Sequence, residues 1–129
     1  MRDLLDRAAA IRLVIFDVDG VLTDGRLYFA SGGDELKAFH IRDGLGIRML
    51  LDAGVGVAVI SGRRAASVER RLADLGIVHA YLGVHDKRVA FAELLARLGL
   101  DASQVAYVGD DLIDLPVMIQ VGLAIAVQD

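Results

Sequence analysis

The sequence predicts an α/β protein built as a doubly wound, Rossmann-like parallel sheet. Short continuous apolar runs recur along it, each ending in polar residues and glycine, and amphipathic helical patterns separate them. Leu13 to Phe16 and Val55 to Ile60 are apolar throughout, which suits strands buried on both faces of a parallel sheet. Val78 to Leu82, Val105 to Val108 and Leu123 to Val127 read as three further strands. Between them Ile47, Leu50 and Leu51, then Ala65, Val68, Leu72 and Leu75, then Phe91, Leu94, Leu95 and Leu98 follow three- and four-residue steps. Alternation of this kind with right-handed crossovers gives the doubly wound sheet. The segment from Gly20 to Phe39 interrupts it. Leu27-Tyr28-Phe29, the turn Ser31-Gly32-Gly33-Asp34 and Leu36 to Phe39 predict a β-hairpin flap after the first strand, leaving no room for a large cap domain.

Composition bounds the rest. With 129 residues, 14 glycines, one proline and no repeat or low-complexity tract, residues 1–129 read as a single domain. A formal charge of −4 argues against nucleic acid as partner, although arginines bunched at 63–64 and 70–71 leave room for a local positive patch. The absence of cysteine excludes disulfides, thiolate zinc sites and thiol catalysis. Met1 to Ala10 carries Arg2, Asp3, Asp6 and Arg7 among its apolar residues, which fits an amphipathic helix and not a signal peptide. No apolar run approaches the ~20 residues of a membrane span, so no membrane partner and a cytoplasmic location are expected.

Open parallel sheets bind ligands outside the carboxyl ends of their strands. The first strand ends in Asp17-Val18-Asp19-Gly20, the second in Ser61-Gly62-Arg63 and the fourth in Gly109-Asp110-Asp111, while Lys87 opens the helix between strands three and four. Asp17, Asp19 and Asp110, with Asp111 nearby, would repel one another without a cation, and oxygen-only ligands select a hard one such as Mg²⁺. Lys87, the Ser61 hydroxyl and backbone N–H groups at helix starts then offer donors for an anion beside that metal, and a phosphoryl group fits.

Plainer roles compete for several of these residues. Ser61 could cap the helix that follows it, and Lys87 could be a solvated lysine. Asp114, ahead of Leu115-Pro116, makes an equally good helix cap or functional group. A solvated charge face accounts for Arg70 and Arg71 beside Glu69, His79 and His85 read as packing or surface residues, and His40 stands between a substrate contact and a structural role. Gly44-Leu45-Gly46 lacks the third glycine of a dinucleotide fingerprint, Gly54-Val55-Gly56 leads into a strand instead of following one, and no GxxxxGK[ST] loop is present.

The strings DVDGVLTDG, SGR, a later lysine and GDDLID occur in the order found in the haloacid-dehalogenase superfamily of phosphotransferases, which the chain resembles. ELKAFHIRDGLGIRML, ISGRRA, AYVGDDLIDLPVM and VGLAIAV extend the likeness, from about Ile11 to Val127, to the 3-deoxy-D-manno-octulosonate 8-phosphate phosphatase family of lipopolysaccharide precursor synthesis. The resemblance implies a phosphoric monoester hydrolase acting on a small sugar-acid phosphate. In it Asp17 is the nucleophile, Asp19 the acid and base, and Ser61 and Lys87 hold the phosphoryl oxygens. Mg²⁺ is held by Asp17, the Asp19 carbonyl and Asp110, with Asp111 and Asp114 as orienting neighbours. It further implies substrate contacts from Asp19, His40, Ile41, Arg42, Asp43, Gly44, Arg48, Gly62, Arg63, Arg71 and Lys87, and a homotetramer whose subunits close the capless site. Because the chain stops at Asp129, the family's C-terminal elements and glycine-rich tail are expected to be missing, with some loss of activity or selectivity.

Other functions compete. Relatives acting on nine-carbon keto-deoxy sugar phosphates share these motifs, and an open site suits a macromolecular phosphoester. A non-enzymatic receiver domain also gathers acids, a hydroxyl and a lysine at a sheet edge. Receivers, however, put the accepting Asp after the third strand, where this chain has Tyr81-Leu82-Gly83.

Overall fold

The computed structural model describes residues 2–18, 28–29, 35–36, 41–109 and 114–126. Helix α1 (Arg2–Ala9) leads into β1 (Leu13–Phe16), followed by the short strands β2 (Tyr28–Phe29) and β3 (Glu35–Leu36). Then come α2 (Ile41–Asp52), β4 (Gly56–Ile60), α3 (Ala66–Asp74), β5 (His79–Tyr81) and α4 (Lys87–Leu98). A 3₁₀ turn at Ala102–Gln104, β6 (Val105–Gly109), α5 (Leu115–Met118) and β7 (Leu123–Ala126) complete the order. The five longer-range strands form one sheet in the order β5-β4-β1-β6-β7, and every pair is parallel.

Numbered as sheet strands along the chain, that order is 3-2-1-4-5. A receiver has the order 2-1-3-4-5, with its second strand at the edge. Topology therefore removes the receiver alternative. The hairpin is present as an antiparallel pair in which Tyr28 is in register with Leu36 and Phe29 with Glu35. Its second strand includes Glu35, one residue ahead of the apolar run that suggested it, while Leu27, the turn at 31–34 and residues 37–39 lie outside the described residues. Among the described residues no further element stands between β1 and α2, so no large cap is present there.

Each central strand divides its side chains by the two-residue period of a pleated strand. Leu13 and Ile15 of β1, Ala58 and Ile60 of β4, and Val105 and Tyr107 of β6 meet Ala90, Phe91 and Leu94 of α4 and Val117 of α5. On the opposite face Val57 and Val59 meet Ile47 of α2 and Val68 and Leu72 of α3, while Val14, Ala106 and Val108 pack with Leu50 and Leu123. Full burial of each such aliphatic side chain is worth about 1.5–3 kcal/mol, which is why the strands read as continuous apolar runs. Helix α4 has the best-defined ends. Asp86 caps it by accepting from the Arg88 N–H at 3.0 Å, and Gly99 closes it at φ 68°, a left-handed conformation that favours glycine. Among the described residues no helix is long and apolar enough to cross a membrane.

Candidate active site

β1 lies between β4 and β6, with Phe16 level with Val59 on one side and Val108 on the other. The residues that follow the three strands are thereby set side by side, and the order reverses between β1 and β6, where open sheets leave a crevice. Asp17 is pinned there by its own N–H, which donates to the Val108 carbonyl at 3.0 Å, and its Oδ1 accepts from the Val18 N–H at 2.8 Å. Ser61 sits after β4, with its N–H on the Tyr81 carbonyl at 2.8 Å and its Oγ accepting from the Arg63 N–H at 3.2 Å. As acceptor in that bond the hydroxyl keeps its own proton to donate, as a phosphoryl oxygen requires. Helix α3 begins at Ala66 with Ala65 at the cap, so Ser61 does not cap it.

Lys87 enters from the other side of the sheet. With Ala90, Phe91 and Leu94 it forms the buried i, i+3, i+4, i+7 stripe of α4, and it is only 4% exposed. A lysine so largely buried has little access to water, so its charge must be met mostly by protein groups. Its Nζ lies 2.6 Å from Asp114 Oδ1, 3.1 Å from Asp17 Oδ1 and 3.4 Å from the Tyr107 hydroxyl. Asp114 is fully buried and, although it stands at the cap position of α5, makes no side-chain cap bond there. Its carboxylate instead joins Lys87 and accepts from the Tyr107 O–H at 2.6 Å.

Two carboxylates thus share one ammonium. Burial raises the Asp17 pKa to about 6, the nearby Asp114 charge adds to the rise, and Lys87 and the Val18 N–H oppose it. Burial, the bond to Asp114 and the Asp114 and Asp17 charges all push the Tyr107 phenol upward, so it stays a neutral donor. Gly109, at the end of β6, is fitted to the same cluster: a Cβ there would stand 2.7 Å from Asp114 Oδ2 and 2.9 Å from Tyr107 Cε1. Gly109→Ala is expected to cost about 1–3 kcal/mol in stability through this overpacking, measured by thermal unfolding. A neutral result would show that Asp114 can move aside.

The remaining site residues expected from the sequence separate into three groups. Asp19, His40, Asp110 and Asp111 lie outside the described residues. Ile41, Arg42 and Asp43 form the start of α2. Gly62 and Arg63 are exposed beside Ser61, and the Arg63 carbonyl accepts from the Gly83 N–H at 3.2 Å. Arg48 is not brought to Asp17. It donates to the Leu75 carbonyl at 3.2 Å, where α3 ends and leads towards β5, and pairs with Asp52 at 3.4 Å. Arg71 lies partly buried against Gly44, where a Cβ would be 2.6 Å from its Nη2, and its Nε is buried with no partner among the described residues. A solvated face therefore describes Arg70, which is exposed, but not Arg71. Arg64 instead pairs with Glu69 and reaches the Leu82 carbonyl.

Tyr107 is the site residue that pattern reading missed. A phenol in an otherwise apolar strand, two residues before Gly109-Asp110-Asp111, was the available signal, since a buried Tyr hydroxyl requires a partner. A cleft of about 440 Å³ opens between the starts of α4 and α5, lined by His85, Asp86, Lys87, Arg88 and Pro116. Asp86 and Arg88 bond each other there, which holds the exposed Asp86 carboxyl below its usual range.

A family model for haloacid dehalogenase-like hydrolases matches residues 39–122, a span that holds β4 to β6 with Ser61, Lys87 and Asp114, and the chain is a hydrolase of that class. The 3-deoxy-D-manno-octulosonate 8-phosphate phosphatase of Yersinia pestis is 58% identical over 127 residues, covering 98% of this chain and 68% of that protein. Its crystal structure superposes with a TM-score of 0.93 at 57% identity, covering 96% of this chain and 67% of that one. The Moraxella catarrhalis phosphatase, solved in complex with magnesium ion, phosphate ion and a KDO molecule, gives a TM-score of 0.90 at 43% identity, over 95% of this chain and 70% of that one. The chain belongs to the 3-deoxy-D-manno-octulosonate 8-phosphate phosphatase family.

Proposed function

We propose that the chain hydrolyses 3-deoxy-D-manno-octulosonate 8-phosphate to the free sugar acid and inorganic phosphate, with Mg²⁺ as cofactor. The observation that carries this reading is Lys87, buried and held between Asp17 and Asp114 at the carboxyl edge of the sheet. The relatives supply the substrate. The donor set suits a hard cation, because the described cluster has two carboxylates for one ammonium and a raised Asp17 pKa that a nearby cation would relieve. The Asp17 carboxylate, the Asp19 carbonyl and Asp110 would hold it. Bound there, Mg²⁺ supplies Lewis-acid neutralisation of charge on the phosphoryl oxygens.

The chain's own groups do the rest. Asp17 attacks phosphorus, and as its carboxylate forms the new P–O bond the bond to the sugar oxygen breaks. Asp19 gives that oxygen a proton. Asp19 then takes a proton from water, whose oxygen attacks the aspartyl-phosphate, releasing phosphate and restoring the Asp17 carboxylate. Ser61 and Lys87 donate to the phosphoryl oxygens throughout. Asp114 orients Lys87, with Asp111 as a second orienting group, and His40 to Gly44, Gly62, Arg63 and Arg71 serve the sugar acid. Arg48 donates to the Leu75 carbonyl and to Asp52 in this chain, and would have to leave those bonds to reach the sugar acid. Closure of a capless site by neighbouring copies in a homotetramer, and a cytoplasmic place in lipopolysaccharide precursor synthesis, complete the reading.

Phosphate release from the eight-carbon substrate, a nine-carbon keto-deoxy sugar phosphate and a phosphopeptide, each with Mg²⁺ and after chelation, tests it. The eight-carbon ester is expected to turn over fastest, with activity lost on chelation and restored by Mg²⁺. Preference for the phosphopeptide, or turnover indifferent to chelation, would overturn it.

A further inference from the structure

We propose that Tyr107 is a positioning residue for this reaction: its hydroxyl closes a ring of hydrogen bonds with Asp114 and Lys87 and so aims the Lys87 ammonium at Asp17. The inference rests on the reading of Lys87 as the group that holds phosphoryl oxygens. An ammonium has three N–H donors and a compact, turnable head on a flexible stem, so its direction is set by what surrounds it. Here Asp114 Oδ1 lies at 2.6 Å, Asp17 Oδ1 at 3.1 Å and the Tyr107 oxygen at 3.4 Å.

The same Asp114 oxygen accepts from the Tyr107 O–H at 2.6 Å. That bond occupies acceptor capacity that a second Lys87 N–H would otherwise take. Without the hydroxyl, the ammonium is free to turn further onto Asp114 and away from Asp17. Tyr107 is suited to hold this geometry because it is fully buried on β6, the strand paired with β1, which delivers Asp17. Gly109, two residues on, leaves the space in which the phenol and the Asp114 carboxylate meet.

Tyr107→Phe removes one oxygen and keeps the ring. In the whole chain with Mg²⁺, kcat is expected to fall about tenfold on both p-nitrophenyl phosphate and the sugar phosphate, with KM changed less than about twofold, as small misplacements of a catalytic group do. In an Asp114→Asn background the same change is expected to add less than about twofold, because the residue it acts through is already altered. Urea unfolding of the metal-free chain, run over the same four variants, reads the contact without turnover and should show the same non-additivity. A kcat within about twofold of the parent, an equal loss in both backgrounds, or additive unfolding energies would each overturn the proposal. Turnover of p-nitrophenyl phosphate without turnover of the sugar phosphate would instead refute the substrate assignment and leave the Tyr107 comparison intact.

Discussion

Asp17→Asn is expected to lower phosphate release at least about a thousand-fold while leaving the fold intact, because the amide has nearly the carboxylate's volume but cannot attack phosphorus. The same change should raise the stability of the metal-free chain. In the folded state the Asp17 pKa is about 6, above the ~3.9 of an unfolded aspartate, so the native chain binds this proton more tightly. The stabilisation it gives is therefore complete below about pH 4 and lost as pH rises to and through about 6. Two units correspond to about 3 kcal/mol, so the variant should gain up to that much over the parent between pH 4 and 7. Chemical denaturation at the two pH values measures it. A gap that stays constant with pH would mean that Asp17 is not strained by burial, and a variant keeping a tenth of the parent's rate would rule out covalent catalysis at this residue.

Lys87→Met should abolish turnover and also cost about 3–5 kcal/mol at pH 7.5, the usual penalty when one partner of a buried ion pair is removed and the other stays charged. The methionine can fill the space on the α4 stripe beside Ala90, Phe91 and Leu94, so the loss reports charge and not volume. Lys87 lowers the Asp17 pKa in the parent, so in the variant Asp17 takes up its proton above about 6, and the deficit should shrink as pH falls towards that value. Urea unfolding at pH 7.5 and pH 5 distinguishes the outcomes. A loss below about 1 kcal/mol at the higher pH would show that Asp17 and Asp114 are relieved by water instead of by the lysine.

Much of this arrangement was legible in the sequence, for physical reasons that differ from residue to residue. Strands such as Leu13–Phe16 and Gly56–Ile60 announce themselves because burial on both faces demands apolar side chains at every position. The placing of Asp17, Ser61 and Lys87 at one edge followed from topology, since parallel crossovers return every strand end to the same side. Strand order did not follow from local pattern. Alternating strands and helices fit either 3-2-1-4-5 or 2-1-3-4-5, and only the pairing of β1 with both β4 and β6 decides. Nor could pattern alone choose a role for Asp114, because Asp before Leu-Pro suits a helix cap as well as a lysine partner. Its burial and missing cap bond distinguish the two. Tyr107 was hidden by its setting, since an aromatic residue in a strand fits the pleat whether or not its hydroxyl has a task.

The placing of β1 between β4 and β6 also bears on the order of events in folding. Asp17, Ser61, Lys87 and Asp114 are spread over nearly a hundred residues, and parallel pairings must close long loops before any contact rewards them. Neither a hairpin nor a single crossover unit holds more than part of the cluster. Affinity for an anion at this edge should arise only once the central strands have docked, late on the folding path. A ligand there would then slow unfolding far more than it speeds folding, and the resting protein would gain kinetic persistence from its own substrate.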